Sequence, residues 1–232
     1  DEQFPYDDLE FLNYRFDTHG QKGHYGVALA SKPEPLRVVR GYATDAEDAQ
    51  RRMIRGVYTL GDGTEITVFN GYFPQGESRD HPIKFPAKEA FYRDLLTTLE
   101  TEYTPSDEIV IMGDFNIAPV DHDIGITDDA KKRWLRTGKT SFLPEERAWF
   151  ERLIQWGLVD SWRSVHPEVS DRYSWFDYRS RGFEDDPKRG LRIDHILVSK
   201  PLMERMTDCG IDYALRAMDK PSDHCPVWIT LE

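Results

Sequence analysis

Residues 108–119 read EIVIMGDFNIAP, and this stretch decides the fold. Ile109, Val110, Ile111 and Met112 form a short apolar run rich in β-branched side chains, the pattern of a strand covered on both faces. The run ends abruptly in Gly113, Asp114 and Asn116. Such residues commonly form turns by bonding their own backbone. Alone, then, the stretch marks a buried strand with a polar end.

The flanking sequence supplies partners for it. GHYGVALAS (23–31), RRMIRGVYTL (51–60) and TEITVFNGYF (64–73) read as strands, the last two joined by a tight hairpin at Gly61-Asp62-Gly63. Over 87–103 the period changes: Phe91, Leu95, Leu99 and Tyr103 recur every fourth position, which predicts an amphipathic helix. A second helix is expected over 144–157, with Pro144 in its first turn, Trp149, Leu153 and Trp156 on one face, and Gly157 at its end. Residues 172–178, 191–199 and 226–232 read as extended. Hairpins mixed with crossover helices predict an α/β protein of two mixed sheets packed face to face with helices outside, rather than a doubly wound parallel sheet. No internal repeat or linker divides the chain, so residues 1–232 are read as one domain.

With 39% hydrophobic and 12% aromatic residues in 232, the chain can bury a sizeable core. The acidic start DEQFPYDDLE lacks the apolar segment of a signal peptide, and no apolar run has the length of a membrane span. Cys209 and Cys225 lie outside any C-x-x-C pair, which argues against a disulfide framework or a zinc knuckle. A cytoplasmic protein with no membrane partner is expected. The net charge of −12 argues on average against nucleic acid. Basic residues nevertheless cluster in KKRWLRTGK (131–139), in RSRGFEDDPKRGLR (179–192) and around Arg51, Arg52 and Arg55.

Polar groups gather where strands end. NGYFPQG carries Asn70, Tyr72 and Gln75; MGDFN carries Asp114 and Asn116; LRID carries Asp194; PSDHCPVW carries Asp223 and His224 before the last strand. Each has an ordinary reading: Asp194 bonding a nearby backbone group, Tyr72 a core residue with a wetted hydroxyl, His224 a surface histidine. Together they are what phosphodiester hydrolysis requires: hard oxygen ligands for Mg²⁺, a base for water, and donors to phosphate oxygens. Two other motifs fail. TGKT (137–140) lacks the glycine of a phosphate loop, because Arg133 stands five residues before Gly138. DHDIG (121–125) begins like a calcium loop, but its twelfth position is Lys132.

The segments HGQKGHYGVA, NGYFPQGESRDHPIKFPAK, MGDFNIAP, DIGI, KRWLRTGKTSFLPEER, WGLVD, SWFDYRS, LRIDHIL and KPSDHCPVW together resemble the bacterial exonuclease III family of the endonuclease/exonuclease/phosphatase superfamily. The resemblance implies a four-layer α/β sandwich with the active site at one end of two packed sheets. It implies an apurinic/apyrimidinic endonuclease and 3′ to 5′ exonuclease on duplex DNA, with 3′-phosphatase and phosphodiesterase activity, Mg²⁺ as cofactor with Mn²⁺ as an alternative, and a monomeric protein.

By the same resemblance Asp114 activates water, Asn116 orients water or phosphate, His224 contacts the scissile phosphate and is held by Asp194, and Tyr72 contacts the phosphate. Asp223, Asp114 and Asn116 would serve the metal. Gln75, Trp175, Leu191 and Ile193 would line the pocket for a base-free sugar, while Lys131, Lys132, Arg133, Arg136 and Lys139 would meet the DNA backbone. The family's first strand, helix and second strand, which bring an asparagine and a metal-binding glutamate, have no counterpart here. Glu2 and Glu10 lack the strand-end context of that glutamate. The competing expectations are a phosphoesterase for another phosphate ester and a non-catalytic DNA-binding relative.

Overall fold

The computed structural model describes residues 2–232. In chain order its strands are β1 (Arg15–Gly20), β2 (Gly26–Ser31), β3 (Arg37–Arg40), β4 (Met53–Thr59), β5 (Glu65–Tyr72), β6 (Glu108–Asp114), β7 (Leu158–Asp160), β8 (Asp194–Ser199), β9 (Met206–Ile211) and β10 (Val227–Leu231). The helices are α1 (Tyr6–Leu9), α2 (Lys84–Glu102), α3 (Asp128–Thr137), α4 (Pro144–Trp156), α5 (Ser161–Val165), α6 (Lys200–Arg205) and α7 (Tyr213–Arg216).

A six-stranded sheet in the order β3-β4-β5-β6-β8-β7 forms the centre. Its β5 and β6 are parallel, as the α2 crossover requires, and its other pairs are antiparallel, so the sheet is mixed. The second sheet layer consists of two antiparallel ribbons, β1-β2 and β9-β10. The apolar run of β6 is buried on both faces, as expected. Ile109 and Ile111 pack with Tyr92, Leu95 and Leu99 of α2 and Trp149, Phe150 and Leu153 of α4. Val110 faces the other way, into a cluster with Val198 of β8 and Ile229 of β10. Among the described residues no helix is long and apolar enough to cross a membrane.

Residues 172–178 are not a strand. Trp175 makes single bridges to Leu191 and His224 and the ladder goes no further. The Ser174 hydroxyl explains this, since it accepts from the amides of Ile193 and Asp194 at 3.0 and 2.9 Å and occupies donors that a ladder would need. The strand expected from residue 191 accordingly begins at Asp194. Helix α3 is an addition. Thr127 caps it by accepting from the Ala130 amide, Gly138 ends it in the left-handed conformation, and none of its residues is buried.

Gly113 has φ +138°, and a Cβ there would lie 1.9 Å from the Gly71 carbonyl oxygen on β5. Only the absence of a side chain lets the two strands approach at this point. Gly113→Ala is expected to destabilise the protein by at least about 3 kcal/mol through strain and forced strand separation. Equilibrium denaturation measures this, and a loss below about 1 kcal/mol would show that the strands can part without cost.

Candidate active site

The site is assembled by strand register. Tyr72 at the end of β5 is paired with Asp114 at the end of β6, and Asp114 with Asp194 at the start of β8, so a phenol and two carboxylates form one row at the sheet's edge. Asn116 holds Asp114 from the following loop. Its backbone amide donates to one carboxylate oxygen at 2.9 Å, and its side-chain amide donates to the other at 2.8 Å and to the Phe73 carbonyl at 3.0 Å. Asn116 has φ 53°, a left-handed conformation that asparagine tolerates better than most residues.

His224 completes the row. Its Nδ1 lies 2.9 Å from both oxygens of Asp194, which leaves Nε2 for another partner. The loop that carries it is fixed by backbone bonds: Phe176 donates to the Asp223 carbonyl at 2.9 Å and Cys225 to the Ser174 carbonyl at 2.6 Å. Asp223 accepts from the Trp175 indole N–H at 3.0 Å.

Burial disfavours the charged form of His224, but the hydrogen bond and charge of Asp194 outweigh it and push the imidazole up to about 9. It is therefore protonated at neutral pH. Burial, and then the charge of Asp194, raise Asp114 to about 7, against the opposing effects of His224 and the Asn116 amide. Ligand atoms of Asp114, Asp194 and His224 lie within 4.8 Å of one another. Two clustered carboxylates give hard oxygen donors of the kind a divalent cation prefers, so the donor set fits a metal. Asp223 lies outside that group, and the Asn116 amide points at Asp114 as an orienting donor.

Asp114, Asn116 and His224 line a cleft of about 260 Å³, with Asp194 reaching it only through His224. Tyr72, Gln75, Asp114, Asn116 and His224 form its polar side; Trp175, Leu191 and Ile193 form its apolar side. Behind that wall stand Ala118 and Phe142. Two lining residues were missed in the sequence: Ser141, and Trp134, which stacks on Phe142 at 5.4 Å. A lone tryptophan among the cations of KKRWLR was the only available signal. A second recess of about 360 Å³ shares Trp134, Lys139 and Trp175 with the cleft and is lined also by Arg133, Arg179 and Arg189.

The basic clusters divide. Lys132, Arg133, Arg136 and Lys139 are exposed, whereas Lys131 is paired with Asp121 at 3.0 Å. Arg192 does not face DNA: it is 1% exposed and bonded to Asp123 and Asp160. Arg55 is likewise buried and pairs with Glu102 at 2.7 Å. Arg52 lies against the rings of Tyr25 and Tyr72, 3.8 and 4.7 Å from their centres. Arg192 and Arg55 serve the interior because each has found a carboxylate there, and Arg52 is buried beneath the exposed ring of Tyr72 at the cleft.

Residues 1–224 match the Endonuclease/Exonuclease/phosphatase family model. The chain belongs to the endonuclease/exonuclease/phosphatase family. Within that family it is 60% identical over 228 residues to exodeoxyribonuclease III of Haemophilus influenzae, covering 98% of this chain and 84% of the relative, which places it on the exonuclease III branch. A Neisseria 3′ phosphatase bound to a product DNA hairpin matches at a TM-score of 0.86 and 36% identity, over 100% of this chain and 84% of that one. An AP endonuclease from Archaeoglobus fulgidus matches at 0.87 and 31%, with the same coverage. The family fold thus agrees with the sandwich that the strand pattern predicts.

In the metal-free protein Asp194→Asn is expected to move the His224 titration downward from about 9, because the group holding its proton loses its charge. A raised folded-state value stabilises the protein below the ordinary imidazole range, and this contribution is lost as pH rises through about 9. Following the imidazole C–H resonances between about pH 5 and pH 10 checks the shift. An unmoved midpoint would detach His224 from Asp194.

Proposed function

We propose that this chain is a Mg²⁺-dependent DNA repair nuclease that incises duplex DNA at abasic sites, digests it from 3′ ends and removes 3′ blocking groups. The observation that carries the reading is the row Tyr72, Asp114 and His224, with Asp194 bonded to His224, along one side of a cleft whose opposite side is apolar. The named activities of the Haemophilus, Neisseria and Archaeoglobus relatives support the same reading. Mn²⁺ is the proposed substitute ion, the cytoplasm the proposed compartment and the monomer the proposed form.

Asp114 and Asp194, the two carboxylates of the cluster, would hold the ion. When bound, Mg²⁺ would spread the charge that builds on the phosphate. Asp114 accepts the proton of the attacking water, and Asn116 fixes its carboxylate for that transfer. Protonated His224, oriented through Nδ1 by Asp194, donates from Nε2 to a phosphate oxygen as it gains charge. Tyr72 offers its hydroxyl to the same phosphate. Trp175, Leu191 and Ile193 give a base-free sugar an apolar surface, which favours a nucleotide that has already lost its base. Cations around the second recess contact backbone phosphates and contribute affinity without reading sequence.

The direct test is incision of an abasic-site duplex with and without Mg²⁺, alongside a phosphoinositide substrate. Mg²⁺-dependent cleavage of the DNA alone is expected, and hydrolysis of the lipid alone would overturn the reading. Asp114→Asn is expected to keep the fold and DNA binding while lowering turnover by several orders of magnitude. A rate near wild type in single-turnover assays would remove Asp114 from the chemistry. Trp175→Ala should reduce the preference for abasic over intact duplex more than it reduces Mg²⁺ affinity; a collapse in Tm would instead make Trp175 a packing residue.

A further inference from the structure

Lys88 lies on the inner face of α2, one turn before Tyr92, and its side chain is fully buried. Its ammonium has three donors. One meets the Glu146 carboxylate at 2.5 Å, one the Asn116 carbonyl at 2.8 Å and one the Gln75 carbonyl at 3.3 Å. Glu146, also fully buried in the first turn of α4, accepts with its other oxygen from the amides of Ser141 and Leu143, both at 2.8 Å. One ion pair therefore ties together the loop after β5, the loop after β6 and the loop before α4. Gln75, Asn116 and Ser141, which all line the cleft, come from those three loops.

A buried ion pair is weak evidence for stability, because packed apolar residues of similar volume often stabilise as well or better. Each donor and acceptor of this pair, however, is matched to a different piece of the cleft's frame. We propose that Lys88 and Glu146 are positioning residues for the cleavage reaction, their ion pair fixing the separation of Gln75, Asn116 and Ser141 around the scissile group. The inference rests on the reading of the cleft as a phosphodiesterase site. It goes beyond that reading by assigning the geometry of three loops to one pair that touches no substrate.

A carboxamide cannot replace the carboxylate at 146. It would present a donor either to the Lys88 ammonium or to the two amides, and one set would lose its acceptor. Lys88→Met leaves Glu146 charged and unpaired and removes the donor shared by two carbonyls. The double variant K88M/E146Q removes the unpaired charge without restoring that donor.

The test compares these variants in the full chain with Leu99→Ala, a core truncation on the same buried face of α2 and outside the cleft. Incision of an abasic duplex is measured with Mg²⁺, at a temperature where circular dichroism shows every variant folded. For Lys88→Met the expected result is a kcat lower by about 10–100-fold with KM changed less than about threefold. The double variant should regain Tm over Lys88→Met while kcat stays low, and Leu99→Ala should lose Tm while keeping kcat. If kcat follows Tm across the set, or the double variant recovers both, the pair is only structural and the inference is overturned. Should Lys88→Met fail to fold, the double variant carries the comparison. A wild-type protein that incises nothing overturns the functional reading and this inference with it, whereas an active wild type with Lys88→Met no worse than Leu99→Ala overturns this inference alone.

Discussion

Tyr72, Asp114 and Asp194 meet because β5, β6 and β8 are held in one register, and a slip of one residue would turn each of these side chains to the opposite face. Hydrophobic patterning does not guard against such a slip here. Both faces of β6 are apolar, so Ile109 and Val110 could exchange sides at modest cost. The stricter constraint is the pairing of Gly71 with Gly113, where the backbones come too close for any side chain. Any other register would place a Cβ in that gap. The glycine in MGDFN thus fixes where the next residue, Asp114, projects.

With the row fixed, its charges must be balanced. Two carboxylates face one imidazolium, and the Asn116 amides compensate only part of the remaining negative charge. The site accordingly favours a cation, which is the electrostatic content of the proposed Mg²⁺ dependence. The apolar wall is braced from behind in a similar way. Arg192, between Leu191 and Ile193, turns inward to bond Asp123 and Asp160. His195 reaches the Ile117 carbonyl at 2.8 Å, and Arg163 also bonds Asp123. Side chains that alternate along this segment therefore serve different tasks: Leu191 and Ile193 shape the cleft while Arg192 anchors it.

Much of this was legible in the sequence for physical reasons, and the gaps are equally explicable. Helices α2 and α4 advertised themselves by apolar periodicity, and β4, β5 and β6 by runs that must be covered on both faces. Helix α3 did not, because none of its residues is buried and DDAKKRWLRT is mostly charged, with Trp134 and Leu135 its two large apolar residues. Strand β1 hid for the opposite reason: its buried residues are Asp17, Thr18 and His19, which a hydrophobic reading passes over. Asp114, Asp194 and His224 could be found because polar residues at strand ends are conspicuous against their apolar neighbours. Lys88 and Glu146 could not, since 58 positions separate them and a buried ion pair leaves no local pattern. Arg192 misled for the same reason, as sequence shows a charge without showing whether a partner waits inside.

A net charge of −12 and a polyanionic partner are reconciled by where the surface cations sit, since the buried ones do not help. Lys88, Arg52, Arg55 and Arg192 are all buried, so they add little to the field outside the protein. Arg133, Arg179 and Lys139 instead surround a recess on the surface, together with Arg189, which is paired with Asp185, and with Asp177. Attraction for DNA would consequently be local to one face, while the acidic remainder discourages binding elsewhere. That recess and the cleft share Trp134, Lys139 and Trp175, with the Lys139 ammonium 3.6 Å above the Trp134 ring. On the proposed function, a phosphate backbone held at the recess would run along the aromatic wall toward His224 and Asp114, so that three shared side chains would join the place of binding to the place of cleavage.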